Sequence, residues 1–133
     1  MRVIVAEDHE VTARLYAFLL EERGHQVDVV TDRFERLISA RWPWDDIEVA
    51  VVDLRLPEGI QGETIIGWLA VHHPHVRTVA VTGYAEESTK AEVLLLKPIT
   101  AVELVTTVES PPASGPSQAS PPPTAGGDQE TSG

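Results

Sequence analysis

The sequence has no cysteine. Disulfides and thiolate metal centres are therefore excluded, and nothing in the chain calls for an oxidising compartment. Cationic side chains are scarce as well: 10 lysines and arginines stand against 21 aspartates and glutamates, for a formal net charge of −11. Such a surface repels a phosphate backbone, so direct binding of nucleic acid is not expected, whereas metal cations and cationic partners are welcome. No apolar run approaches the roughly 18–20 residues that a membrane span requires. The N-terminal apolar run meets Glu7-Asp8 too early to serve as a secretory signal. Nor does a glycine-rich phosphate loop follow that run, which argues against a nucleotide-binding protein of flavodoxin type. The expectation is a soluble, cytoplasmic protein with no membrane contact.

What is present divides the 133 residues in two. From Glu109 onward come six prolines, five serines and four glycines, with alanine as the only apolar residue. A segment of that composition cannot bury enough surface to offset its ordering entropy, so 109–133 reads as a disordered tail. Residues 1–108 hold 53 hydrophobic side chains, or 49%, enough for one core. Within them strand and helix patterns alternate. Apolar, β-branched runs at Arg2–Ala6, 26–31, 49–54, 76–82 and Val93–Leu96 predict five strands. Between them, Val11, Leu15, Phe18 and Leu19 predict a first helix, stopped by Gly24. Phe34, Leu37, Ile38 and Arg41 predict a short second helix ending before Pro43, and Ile65, Ile66 and Leu69 a third. A Thr100–Glu103 capping box opens a last helix carrying Val102, Val105 and Val108. Strands joined in this way form a doubly wound α/β fold around a five-stranded parallel sheet, and ligands then bind beyond the carboxyl ends of the strands.

Those ends carry the chemistry. Glu7 and Asp8 follow the first strand, Asp53 ends the third, Thr82-Gly83 end the fourth, and Lys97-Pro98 follow the fifth. A carboxylate such as Asp53 in an otherwise apolar strand costs free energy unless something compensates it. Clustered carboxylates repel one another unless a hard cation such as Mg²⁺ joins them. A carboxylate beside a cation, a hydroxyl and an amine is suited to receiving a phosphoryl group as an acyl phosphate.

Over residues 1 to about 108 this set resembles the receiver domain of two-component response regulators. Glu7-Asp8 resemble that family's acidic pair, Asp53 its phosphorylated aspartate, and Leu54-Arg55-Leu56-Pro57 the loop after it. Thr82-Gly83 resemble its switch hydroxyl and following small residue, and Lys97-Pro98 its lysine and cis-proline. The resemblance implies a flavodoxin-like fold and a Mg²⁺ ion held by Asp8, Asp53 and the backbone carbonyl of Arg55, with Glu7 acting through water. It implies phosphotransfer to Asp53 from a sensor histidine kinase or phosphotransfer protein, slow self-dephosphorylation, no other enzymatic activity, and signalling through an unidentified downstream protein. A monomer is expected. The alternatives are a pseudo-receiver that is never phosphorylated and a phosphatase of the aspartyl-phosphate type. The second is opposed by Arg55 where such enzymes carry a further aspartate.

This chain departs from the family pattern in three places. Leu94 stands where the switch aromatic is expected. About two helical turns are missing between Thr82 and Lys97, so the fourth helix must be a stub or a loop around 85–91. One extra residue precedes Gly62. Thr82-Gly83-Tyr84 resemble a subgroup of stand-alone receivers with an altered fourth-strand motif, and Tyr84 is placed either to shield an acyl phosphate or simply to pack. Without the aromatic, the phosphorylated state would be read from the 83–90 loop. His72, His73 and His75 read as solvated helix-end residues rather than metal ligands, and Trp42-Pro43-Trp44 as packing beneath a loop.

Overall fold

The computed structural model describes residues 1–57, 60–84 and 88–110. Five strands form one parallel sheet: β1 (Arg2–Ala6), β2 (Gln26–Val30), β3 (Val49–Asp53), β4 (Arg77–Thr82) and β5 (Val93–Leu96). Their order is β2-β1-β3-β4-β5. The order therefore reverses between β1 and β3, and a crevice opens beyond their carboxyl ends. Among the described residues three α-helices flank the sheet: α1 (Glu10–Glu21), α2 (Gly62–His72, the third helix of the sequence pattern) and α3 (Ala101–Glu109). Gly24 ends the turn after α1 at φ 90°, a conformation that favours glycine. The Thr100–Glu103 capping box forms in both directions at the start of α3. That helix runs one residue past Val108, and Glu109 pairs with Arg23 and His25.

Side-chain alternation gives the sheet two different faces. On one, Val3, Val5, Val49, Val51, Val79 and Val81 meet Ala13, Tyr16 and Leu20 of α1 and Leu104 and Val108 of α3. On the other, Ile4, Ala6, Ala50, Val52 and Ala80 meet Ile65, Ile66 and Leu69 of α2, together with Phe34, Leu37, Trp44 and Ile47.

Two expectations are corrected. No α-helix forms over 34–41. The chain makes a 3₁₀ turn at Phe34–Leu37, entered through Arg33 at φ 49°, and a second at Trp44–Asp46. Trp44 explains the change: its ring is buried and its Nε1 donates to the Leu37 carbonyl at 2.7 Å, so that carbonyl serves the tryptophan rather than a helix. The second correction concerns α1. Its inward face is Ala13, Tyr16, Ala17 and Leu20, while Val11, Leu15 and Phe18 point outward and are exposed.

Between β4 and β5 the described residues contain no helix; 85–87 of the expected stub lie outside them. Leu94 and Leu96 of β5, on the α2 side of the sheet, are accordingly left 36% and 47% exposed. The tail from 111 onward also lies outside the described residues.

Candidate functional site

Strand register builds the site. Ala6 stands opposite Val52 in the β1–β3 ladder, so the next residues along, Glu7 and Asp53, are neighbours. Thr82 stands opposite Leu96 in the β4–β5 ladder, so Lys97 follows directly beside it, and the Lys97 amide donates to the Thr82 carbonyl at 2.7 Å. Period-two alternation puts Glu7, Asp53 and Lys97 on the α1 side of the sheet. Their side chains meet there. Lys97 Nζ donates to Asp53 Oδ2 at 2.9 Å and lies 3.1 Å from Glu7 Oε1. Asp53 Oδ1 accepts from the Arg55 amide at 2.8 Å, and Glu7 Oε2 from the His9 amide at 3.0 Å.

The carboxylates are deep for charged groups, with Glu7 2% and Asp53 4% exposed. Asp8, by contrast, is exposed at the rim. Burial pushes the Glu7 carboxyl up to about 7; the His9 amide opposes that shift and the neighbouring Asp53 charge adds to it. Burial alone would depress the Lys97 amine, but its hydrogen bond to Asp53 and the nearby Asp53 and Glu7 carboxylate charges outweigh that and hold it above its ordinary value. Tyr16 reaches the same region from α1: burial raises its phenol, Lys97 pulls it down, and Glu7 and Asp53 raise it further.

Thr82 is fully buried, and its Oγ1 accepts the Tyr84 amide at 3.1 Å. The Tyr84 ring packs under the guanidinium of Arg55, whose central carbon is 4.3 Å from the ring centroid. This lid of Arg55 on Tyr84 links the loops after β3 and β4, a pairing that the sequence pattern did not single out. Gly62 is a second residue it undervalued. A Cβ there would collide with the Asp53 carbonyl oxygen and come within 2.8 Å of Leu54 Cα, so only glycine lets α2 start against the end of β3. The Lys97–Pro98 peptide is cis.

The donor set fits a hard dication. Glu7, Asp8 and Asp53 each offer a carboxylate oxygen, all within 4.8 Å of one another. Glu7 Oε1 is buried with no hydrogen-bonding donor, since Lys97 is near it but not aligned. A cation would satisfy that oxygen, because oxygen ligands and net negative charge are what Mg²⁺ or Ca²⁺ takes.

The model of the response regulator receiver domain matches residues 3–109. The chain belongs to that family. It is a receiver domain of two-component signalling, a class of modules that are generally non-enzymatic. It is 28% identical over 117 residues to the polar-differentiation response regulator DivK of Brucella ovis, covering 81% of this chain and 93% of that one. It is 26% identical over 114 residues to sensor kinase CckA of Brucella abortus, but there it spans only 12% of the relative's length. Among solved structures, a response regulator from Burkholderia pseudomallei, with a phosphorylated aspartic acid, a calcium ion and citrate, superposes with a TM-score of 0.68. That protein is 28% identical, over 82% of this chain and 66% of its own. The doubly wound parallel sheet expected from the strand pattern, and the flavodoxin-like fold that the family resemblance implies, are what is observed. No helix among the described residues is long and apolar enough to cross a membrane.

Proposed function

We propose that this receiver takes a phosphoryl group onto Asp53 from a phosphohistidine on a sensor histidine kinase or phosphotransfer protein, and signals by binding a downstream protein. The observation that carries this reading is the Lys97–Asp53 contact of 2.9 Å on a carboxylate held at the end of an apolar strand. A carboxylate oxygen of Asp53 attacks phosphorus, the P–N bond breaks, and the electron pair leaves with the imidazole, which takes up a proton. Lys97 fixes the carboxylate and balances charge on the transferring oxygens. Thr82 would hydrogen-bond one of those oxygens, and Gly83 leaves room for the group. Glu7, Asp8, Asp53 and the Arg55 carbonyl would hold Mg²⁺, which supplies charge neutralisation at the acceptor. The relatives support these roles: one is a response regulator, one a sensor kinase, and one carries phosphoaspartate with a divalent ion. We read the chain as a monomer whose working unit is residues 1–108.

Incubation with Mg²⁺ and acetyl phosphate should add one phosphoryl group by intact mass. Chelating the metal or substituting Asp53→Asn should abolish the addition. Full labelling of the Asp53→Asn protein would assign the acceptor to another residue, and no labelling of the native protein under any donor would favour the pseudo-receiver.

A further inference from the structure

The other edge of the sheet, where the strands begin, carries a second cluster. Asp45 lies in the 3₁₀ turn ahead of β3, His73 caps the carboxyl end of α2, and His75 leads into β4. One donor atom from each lies within 4.8 Å of the other two. His73 Nδ1 faces Asp45 Oδ1 across 3.9 Å, too far for a hydrogen bond. The gap is close to what a shared tetrahedral ion would need. Bonds of about 2.0–2.1 Å at the tetrahedral angle put two ligand atoms roughly 3.4 Å apart. Asp45 can close the difference, because its side chain is 94% exposed and unconstrained by packing.

His75 adds an independent sign. Its Nε2 is 2.9 Å from the Trp44 carbonyl oxygen. A carbonyl can only accept, so Nε2 carries the proton and, in the neutral ring, Nδ1 carries the lone pair. A backbone carbonyl that pins one ring nitrogen is the usual support of a metal-ligating histidine. His73 is held in turn by aromatic neighbours, with ring centroids at 5.3 Å from Trp68, 5.8 Å from His75 and 6.2 Å from Trp44. His72 lies outside the cluster: it stacks on Trp68 at 4.7 Å, with its Nδ1 at the Trp68 carbonyl.

We propose that Asp45, His73 and His75 form a binding site for Zn²⁺ or a similar late first-row dication, with solvent completing the coordination. Two imidazoles and a carboxylate suit such an ion, whereas Mg²⁺ takes oxygen donors and prefers the acidic cluster at the opposite edge. Bound metal joins the lead-ins to β3 and β4 to the end of α2, and so stabilises the fold without touching Asp53. The inference is independent of whether Asp53 is phosphorylated.

Equilibrium dialysis of the full chain against Zn²⁺, in excess Mg²⁺ so that the acidic cluster is occupied, should give one Zn²⁺ per chain. His73→Ala and Asp45→Asn should each weaken binding at least tenfold. Asp45→Asn alters an exposed side chain and leaves the fold intact, so its loss cannot be blamed on unfolding. His72→Ala and Asp8→Asn should bind as the native chain does. In histidine-selective NMR, Zn²⁺ should shift the ring nitrogens of His73 and His75 and leave His72 unmoved. The proposal is overturned if affinity is unchanged in His73→Ala and Asp45→Asn, or if Zn²⁺ is lost with Asp8→Asn. In those cases the cluster is only an ion pair at a helix end.

Discussion

The sheet's two faces are finished to different degrees. Toward α1 and α3, two helices lie over the valines of β1, β3 and β4, and Leu104 and Val108 of α3 are fully buried there. Toward α2, one helix and two 3₁₀ turns cover β1, β3 and part of β4, and cover runs out before β5. The difference comes from chain length. The segment between β4 and β5 is too short to return across the sheet as a full helix, so Leu94 and Leu96 meet solvent. The site does not need a helix in that segment, because none of its anchors Glu7, Asp53 and Lys97 lies there. Glu7, Asp53 and Lys97 are set by strand register, and Tyr16 reaches them from the face that α1 and α3 cover.

The largest expected effect is on that covered face. Leu104→Ala empties a fully buried position and should cost about 2–5 kcal/mol in chemical denaturation, as buried leucine truncations do. A loss under about 1 kcal/mol would mean that α3 is only loosely seated and that the two faces are alike after all.

Much of this was legible in the sequence, and the failures have physical causes. The strands and their terminal residues could be read because β1, β3 and β5 are near-continuous apolar runs followed or closed by Glu7, Asp53 and Lys97, and β4 is largely β-branched up to Thr82. The register of these four residues then followed from the topology. The inward face of α1 could not. Residues 13, 16, 17 and 20 obey the same helical spacing as 11, 15 and 18, but two of them are alanines and score as weakly hydrophobic. Small residues are what a helix resting close on a sheet requires, and the larger Val11, Leu15 and Phe18 are outside. Val102 misled in the same way: it is exposed, and the anchor of α3 is Leu104. The 34–41 helix failed through a long-range bond, the Trp44 Nε1 to Leu37 carbonyl contact, which no local pattern encodes. His73 and Asp45 are distant in sequence and were brought together by the fold alone.

A smaller effect should appear at the site itself, in metal-free buffer. The Glu7 carboxyl sits at about 7 in the folded chain against an ordinary 4.5, so the folded state binds its proton more tightly than the unfolded state does. Its contribution to stability is then fully present below about pH 4.5 and is lost as the pH rises to about 7. Native stability should therefore fall across that window relative to Glu7→Gln, which has no proton to lose. The bound on the change is about 3 kcal/mol, reduced wherever Lys97 compensates the ionised form. A native-minus-variant difference that stays flat from pH 4.5 to 7 would show that Glu7 is ionised throughout and better solvated than its burial implies.

The smallest effect is the most informative about the uncovered face. Leu94 is large, apolar and part of a strand, so a rule based on residue type alone would rank Leu94→Ser beside Leu104→Ala. Its exposure of 36%, on a face with no helix above it among the described residues, argues otherwise. Part of its apolar surface stays in water on folding, and a serine hydroxyl can be hydrated there, so neither a closed cavity nor an unsatisfied polar group results. The expected change is about 1 kcal/mol or less, well below the Leu104→Ala loss. Leu94→Ser and Leu96→Ser together should add without coupling beyond that scale, because neither change leaves a closed cavity that the two sites would share. A joint cost above about 2 kcal/mol in dilute monomer would mean that another part of this chain lies over β5, and the two faces would then be closed to the same degree.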